Sequence, residues 1–210
     1  IGVPDLVLES PAVTVPAAAA DKWTNLGTIP TGLMEDRYVA AVEVKEFNDI
    51  PPESGGDTVG GRYVFHHMTY ASVVPDGVDA ESSTRFPVHE VGRNADIFPE
   101  NAGRLLTAGS ALELETAHLH ANGRETQAHL KFAFKLHPEG YEPEIRHART
   151  LVGNGVDIDI KPDQAEQELH AYRVLDEHTK VVSFEPHQHA PGTRMCLEAI
   201  WGHNIETLTC

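Results

Sequence analysis

The stretch "RYVFHHMTYASV", residues 62–73, is rich in aromatic and β-branched residues and predicts a β-strand with two adjacent histidines in its middle. Neighbouring residues on a strand point to opposite faces, so one of His66 and His67 is expected to be buried. Both imidazoles can reach one metal ion only where the strand bulges or ends. The pair is therefore either half of a metal site, or a core histidine bonded to a backbone carbonyl beside a histidine at the rim.

Short strand patterns with turn signals between them flank this stretch. We expect edge strands at 4–10 and 12–17, and an alternating strand at 36–47. Residues 104–123 and 125–138 are expected to form an antiparallel hairpin around an Asn-Gly turn. The residues between these strands predict long surface loops at 48–61 and 75–103.

The chain after residue 148 gives a second group of strand signals. The alternating "VDIDI" lies at a seam in the sequence, residues 148–162. Residues 162–178 have helical propensity, but we assign them mostly to strand with an acidic turn. Residues 179–201 predict strand, Pro-Gly turn and strand. The whole pattern predicts an all-β fold, a sandwich or jelly roll.

Composition excludes some classes of function. The 210-residue chain carries 32 acidic and 16 basic residues, a formal charge of −16. Such a chain repels phosphate backbones and anionic lipid, so a role on nucleic acid or on a membrane surface is not expected. No apolar run approaches the ~18 residues of a membrane-spanning helix. The unusual count is that of histidine, 13 residues, several of them inside predicted strands.

Two H-x-H pairs add to the adjacent histidines. Residues i and i+2 of a strand share a face, so His187 and His189 in "PHQH" would present two imidazoles side by side. His118 and His120 in "AHLH" form a second pair of this kind. Imidazole suits copper, zinc, iron and nickel alike. Each pair alone is equally compatible with surface histidines near a turn, but three clusters together favour a metal-binding protein.

Several of these segments occur in an order that resembles a known family. "IGVPDLVLESPAVTVPA", "HHM", "HLHANG" and "PHQHAPGTRMCLEAIW" together resemble the copper type II, ascorbate-dependent monooxygenase-like proteins of bacteria, distant relatives of peptidylglycine α-hydroxylating monooxygenase and dopamine β-monooxygenase. The resemblance covers nearly the whole chain. It implies tandem jelly-roll β-sandwiches, the first at residues 1–147 and the start of a second, incomplete one at 148–210.

The resemblance also implies ligands for up to two copper ions. His66, His67 and His118 would hold the first ion, and His187 and His189 would hold the second together with a methionine. The methionine lies beyond the end of this chain in the family, and Met195 follows the H-x-H pair too closely to replace it. We therefore expect weak binding or none at the second site.

The sequence departs from the family at one position near the first copper site, and it contains one further histidine close to that site. Leu119 stands where the family often has a tyrosine after the third histidine. His120 is expected to face away from the site or to lie in the turn, as a neighbour of the site and not a ligand.

Three classes of function follow from these residues. The first is an enzyme that uses O2 and ascorbate or another reductant to hydroxylate a C–H bond of a small-molecule or peptide substrate, which the sequence does not identify. The second is a non-catalytic, exported accessory or structural subunit of a larger assembly, whose long loops dock protein partners. The third, a cupin-type dioxygenase, is disfavoured because the glutamate expected shortly after H-x-H is absent.

The chain has two cysteines, Cys196 and Cys210, in the segment "RMCLEAIWGHNIETLTC". This segment predicts a hairpin with a three-residue Gly-His-Asn loop that opposes Trp201 to Ile205 and Cys196 to Cys210. Directly opposed residues lie close enough for a disulfide; the alternative is two buried free thiols. A disulfide predicts an oxidising compartment, periplasmic or extracellular, and the chain's start at Ile1 predicts an upstream segment that was removed or left out.

Overall fold

The computed structural model describes residues 1–53, 59–74, 83–146, 149–153, 158–188 and 192–210. It divides into two compact units, Ile1–Thr150 and Leu151–Cys210. Strands dominate the described residues, and the only helix among them is a single turn. The all-β prediction is confirmed, whereas the boundary at residue 147 and the tandem jelly-roll topology stay predictions.

The first unit contains most of the secondary structure. In chain order its elements are β1 (Leu6–Glu9), β2 (Val13–Val15), β3 (Lys22–Thr24), β4 (Gly27–Pro30), β5 (Arg37–Asn48), α1 (Val59–Arg62), β6 (Phe65–Val73), β7 (Thr84–Arg85), β8 (His89–Glu90), β9 (Ala95–Ile97), β10 (Ala102–Leu106), β11 (Ala111–Leu119), β12 (Thr126–Leu136) and β13 (Ile145–Arg146). The predicted strands at 4–10, 12–17, 36–47 and 62–73 are confirmed, each trimmed or extended by a few residues.

These strands form two sheets. The first sheet has the order β1-β12-β5-β10-β13, with β2 also paired to β12 and β9 to β5. The second has the order β3-β11-β6-β7, with β4 also paired to β11 and β8 to β6. Pairing is antiparallel except between β10 and β13. The histidines of the HH and AHLH segments therefore all belong to the second sheet or to its edges.

A core of aromatic and aliphatic side chains joins the two sheets. Strand β12 buries every second residue, as a strand with one apolar face should. Its Phe132 packs 5.1 Å, centroid to centroid, from Tyr70 of the second sheet, and Phe134 packs 5.6 Å from Phe86. Each fully buried large side chain stabilises the fold by roughly 1.5–3 kcal/mol. The two sheets therefore pack as a sandwich.

The predicted hairpin of 104–123 and 125–138 is wrong. Strands β10 and β12 lie in the first sheet, whereas β11 lies in the second. The Asn-Gly signal does mark a turn, with Gly123 at a φ of +87°, but that turn carries the chain from one sheet to the other. Crossing between sheets lets the apolar faces of β11 and β12 face each other across the core, which a flat hairpin would not allow.

The predicted surface loop at 75–103 is wrong for its described part. Residues 83–103 form β7, β8, β9 and the start of β10, and they bury Phe86, His89 and Phe98. Strands of two or three residues are too short to show a period of two in the sequence. Residues 54–58 and 75–82, within the two predicted loops, lie outside the described residues.

The described part of the second unit contains one hairpin, β14 (Leu197–Trp201) and β15 (Asn204–Thr209). The strands expected within 158–188 are not formed, and apolar residues there such as Ile158 and Ile160 are exposed. Strand propensity alone does not make a strand, because its backbone groups need a paired neighbour and its side chains a surface to cover. Much of this unit is irregular for that reason.

The terminal hairpin corrects one detail of the prediction. Its loop has two residues, so Ile200 pairs with Ile205 and Trp201 with Asn204. A bulge at Leu208 then restores the register, and the Cys196–Cys210 disulfide is formed as predicted. Within the described residues, no helix is long and apolar enough to cross a membrane.

Candidate metal centre

A row of four side chains crosses the second sheet. Trp23 of β3 pairs with His118 of β11, His118 pairs with His67 of β6, and His67 pairs with Glu90 of β8. Directly opposed residues share a face of the sheet. The neighbouring Met68 points into the core between the sheets, so this row lies on the outer face.

A β-bulge places His66 beside this row. His118 pairs with His67, but the next residue, Leu119, pairs with Phe65, which leaves His66 as the extra residue of β6. A bulge interrupts the alternation of faces. The rings of His66 and His67 consequently lie 4.9 Å apart, centroid to centroid, with His67 buried and His66 half-buried.

His120 also joins the cluster, so it does not face away from the site. It begins the connection between β11 and β12, as the alternative expectation had it, and whether it is a ligand stays untested. Its backbone N–H donates to the carbonyl of Val64 at 2.9 Å, which holds it beside the start of β6. Its Nε2 lies 3.2 Å from His118 Nε2, and its ring stacks on that of His66 at 4.3 Å. The H-x-H spacing already contained this signal, because residues i and i+2 share a face.

The three histidines form a possible metal site. One ring nitrogen each of His66, His118 and His120 lies within 4.8 Å of the other two. Neutral imidazoles that converge in this way are the usual nitrogen ligands of transition metals. The identity of a metal does not follow from the nitrogens alone.

His67 has a different position from these three. Its ring centroid is 4.8 Å from that of His118, but the compact group of ring nitrogens in the described residues does not include it. Its Nδ1 faces Glu90, with Oε2 at 4.0 Å. The assignment of His67 as a copper ligand stays a prediction.

Trp23 covers the cluster from the solvent side. Its ring is parallel to that of His118, with 4.1 Å between centroids and 6° between planes. His118 is only 4% exposed although it lies on an outer face, whereas Trp23 is 55% exposed. The indole therefore fixes the orientation of the imidazole and keeps water from one side of it.

Glu46 fixes the start of β6 from the opposite sheet. Its carboxylate oxygens accept hydrogen bonds from the backbone N–H groups of Val64 at 3.1 Å and Phe65 at 2.8 Å. Burial raises the pKa of Glu46, although Asn48 and the two N–H groups oppose this. These hydrogen bonds from Val64 and Phe65 to Glu46, called the Glu46 clamp below, hold the residues that immediately precede His66.

A small cavity of about 50 Å³ lies next to Glu46, enough for a few waters. It is lined by Glu46, Tyr63, Phe65, His89, Val91, Gly92 and Asn94. His89 pairs with Met68 and so lies on the inner face of the sheet, away from the metal cluster. Burial lowers the pKa of His89 to about 4, and its Nδ1 has no hydrogen-bond partner in the described part of the chain.

Only one of the second pair of predicted ligands belongs to the described residues. His187 is exposed and outside any strand, and His189 lies among the residues that are not described. A second copper site at this pair stays a prediction.

The chain matches no protein-family model, no curated protein and no solved structure.

Proposed function

We propose that the first unit binds one copper ion through His66, His118 and His120, and that the protein acts as a copper-dependent monooxygenase-like protein. The observation that carries this proposal is the convergence of three imidazoles on one face of a sheet, with 3.2 Å between the Nε2 atoms of His118 and His120. Three neutral nitrogen donors suit copper. The resemblance of the sequence to copper monooxygenases adds support for this metal over zinc or nickel.

The surrounding residues shield one part of the site from water and leave another part accessible to a reductant. A bound copper ion would supply reversible one-electron transfer. Trp23 and the sheet shield His118, while the His120 side chain keeps about a third of its surface exposed. One side of the site is thus shielded from water, and the other is open to a reductant such as ascorbate.

The Cys196–Cys210 disulfide supports the location in this proposal. Disulfides persist in oxidising compartments, so the bond fits an exported protein. We place the protein in the periplasm or outside the cell, where copper and external reductants are available.

Copper titration of the purified chain tests the binding claim. We expect one equivalent of copper(II) per chain, and at least a hundredfold loss of affinity in His118→Ala and His120→Ala. The matched control is His129→Ala, since His129 lies on β12 of the other sheet, beside Phe47. No binding by the native chain, or binding that survives both cluster variants, would contradict the proposal.

Oxygen uptake with ascorbate tests the enzymatic part separately. The copper-loaded protein is expected to consume O2 when ascorbate is present, and His120→Ala is expected to abolish this. Copper binding without O2 consumption would instead support the accessory-subunit hypothesis.

A further inference from the structure

A carboxylate lies against two of the three histidines. Asp21 precedes β3, and its Oδ2 is 3.3 Å from His118 Nε2 and 3.5 Å from His120 Nε2. We propose that Asp21 is the fourth ligand of the metal centre, which makes the donor set three imidazoles and one carboxylate. Asp21 lies against His118 and His120 but is outside the compact group that these two form with His66, so a bound ion would have to bring Asp21 and His66 together. This inference rests on the metal site proposed above and adds a ligand that the sequence did not suggest.

The three distances match those between ligands of one ion. The two Nε2 atoms and Oδ2 form a triangle with sides of 3.2, 3.3 and 3.5 Å. In a tetrahedral site with bonds of about 2.0–2.1 Å, neighbouring ligand atoms lie about 3.3–3.4 Å apart. In an octahedral or square-planar site with bonds of the same length, adjacent ligand atoms would lie only about 2.9 Å apart. Copper(II) prefers the latter geometry, so it would bind these atoms in a distorted site. The triangle of Asp21, His118 and His120 therefore has the size of one face of a tetrahedron, a comparison that does not include His66.

The distance between the two Nε2 atoms, 3.2 Å, is within hydrogen-bond range, but direct hydrogen bonding explains the two distances from Asp21 less well. A hydrogen bond between an imidazolium and a carboxylate is normally about 2.7–2.9 Å long. Both distances from Asp21 to the histidines exceed that range by several tenths of an ångström. A common point between the three atoms, about 1.9 Å from each by triangle geometry, leaves room for an ion at normal bond lengths.

The local sequence explains how Asp21 reaches the site. Trp23 is anchored by its stacking on His118 and by the pairing of β3 with β11. Asp21 lies two residues earlier and so extends to the same face of the sheet. Because its side chain is 62% exposed, the carboxylate can contact an ion at the cluster without becoming a buried charge.

A carboxylate ligand would affect the two copper oxidation states differently. It is harder than imidazole and carries a negative charge, so it favours copper(II) over copper(I). Removal of Asp21 should therefore weaken copper(II) binding more than copper(I) binding, and should raise the reduction potential of the site.

Two substitutions at Asp21 separate ligation from simple charge attraction. Copper(II) affinity is measured by competition with a chromophoric chelator on the full chain. We expect Asp21→Asn to weaken affinity at least tenfold, and Asp21→His, which is neutral but can ligate, to restore it to within about threefold. Glu9→Gln, on β1 of the other sheet, removes the same charge and is expected to change nothing.

The outcomes distinguish this inference from the proposed function. If the native chain binds copper and Asp21→Asn binds equally well, the fourth-ligand assignment is overturned while the three-histidine site stands. If Asp21→His is as weak as Asp21→Asn, the effect is one of charge and the assignment is also overturned. If the native chain binds no copper, the proposed function itself fails, and this inference fails with it.

Discussion

The burial of His89 makes the free energy of unfolding depend on pH. Its folded-state pKa is about 4, because burial disfavours the charged form, and the unfolded value is about 6.5. Between these values the unfolded chain binds more protons than the folded one. The stability that neutral His89 contributes is therefore complete above pH 6.5 and is lost as the pH falls towards 4.

The test compares the native chain with His89→Leu in urea unfolding, with chelator present. Between pH 7 and pH 4 the native chain is expected to lose on the order of 3 kcal/mol relative to the variant. The raised pKa of Glu46 acts in the opposite direction, but it is present in both proteins and cancels in the difference. Parallel pH profiles for the two proteins would show that His89 is not buried in its neutral form.

The residues of the histidine cluster differ in how well the sequence predicts their place in the site. The H-x-H rule correctly requires His118 and His120 to share a face, whereas carrying over ligands from the resembled family favoured His67. His66 reaches the site through a bulge, which residue types alone do not place. Asp21 is a single acidic residue in an acidic chain, and only the pairing of β3 with β11 brings it to the histidines.

At the scale of elements, the Glu46 clamp between β5 and the start of β6 positions the HH pair. Glu46→Ala would leave the buried backbone N–H groups of Val64 and Phe65 without their acceptor, at a cost of about 1–3 kcal/mol each. We expect a lower melting temperature and weaker copper binding, because His66 directly follows Phe65. Thermal unfolding and copper titration measure the two effects.

The control for this substitution is Glu43→Ala on the same strand. Glu43 pairs with Lys45 at 2.6 Å on the surface, and such pairs contribute only about 0–1 kcal/mol. If Glu46→Ala resembles this control in both stability and copper affinity, the Glu46 clamp does not position the site.

The terminal hairpin gives a second prediction at this scale. The Cys196–Cys210 bond closes a loop with a sequence separation of 14 residues, for which the chain-entropy model gives about 3 kcal/mol. Reduction is expected to speed amide hydrogen exchange in β14 and β15. Thiol titration should find no free thiol before reduction, and free thiols in the native protein would contradict the bond.

Elements differ in how well the sequence predicts them. Long alternating strands such as β5 and β12 are evident, because one face is apolar over many residues. Very short strands such as β7 and β8 are not, since their pairing depends on β6 alone. In the hairpin, the loop length was wrong by one residue, and the bulge at Leu208 compensated for it.

At the scale of the whole molecule, the sandwich explains why part of the histidine cluster lies on the outer face of a sheet. The core occupies the inner face of the second sheet, where His89 is a buried polar exception, and His67 and His118 lie in one row on the outer face. Composition and periodicity predict the all-β class. The assignment of strands to sheets is not predictable in this way, because both sheets offer similar apolar faces to the same core.

The central claim is that His66, His118 and His120 hold one metal ion, and its most direct test is a crystal of the copper-loaded protein measured at the copper absorption edge. We expect a single anomalous peak in the first unit at bonding distance, about 2.0–2.1 Å, from one ring nitrogen of each histidine. A peak on other residues, or no peak from a protein that has been exposed to copper, would contradict the claim.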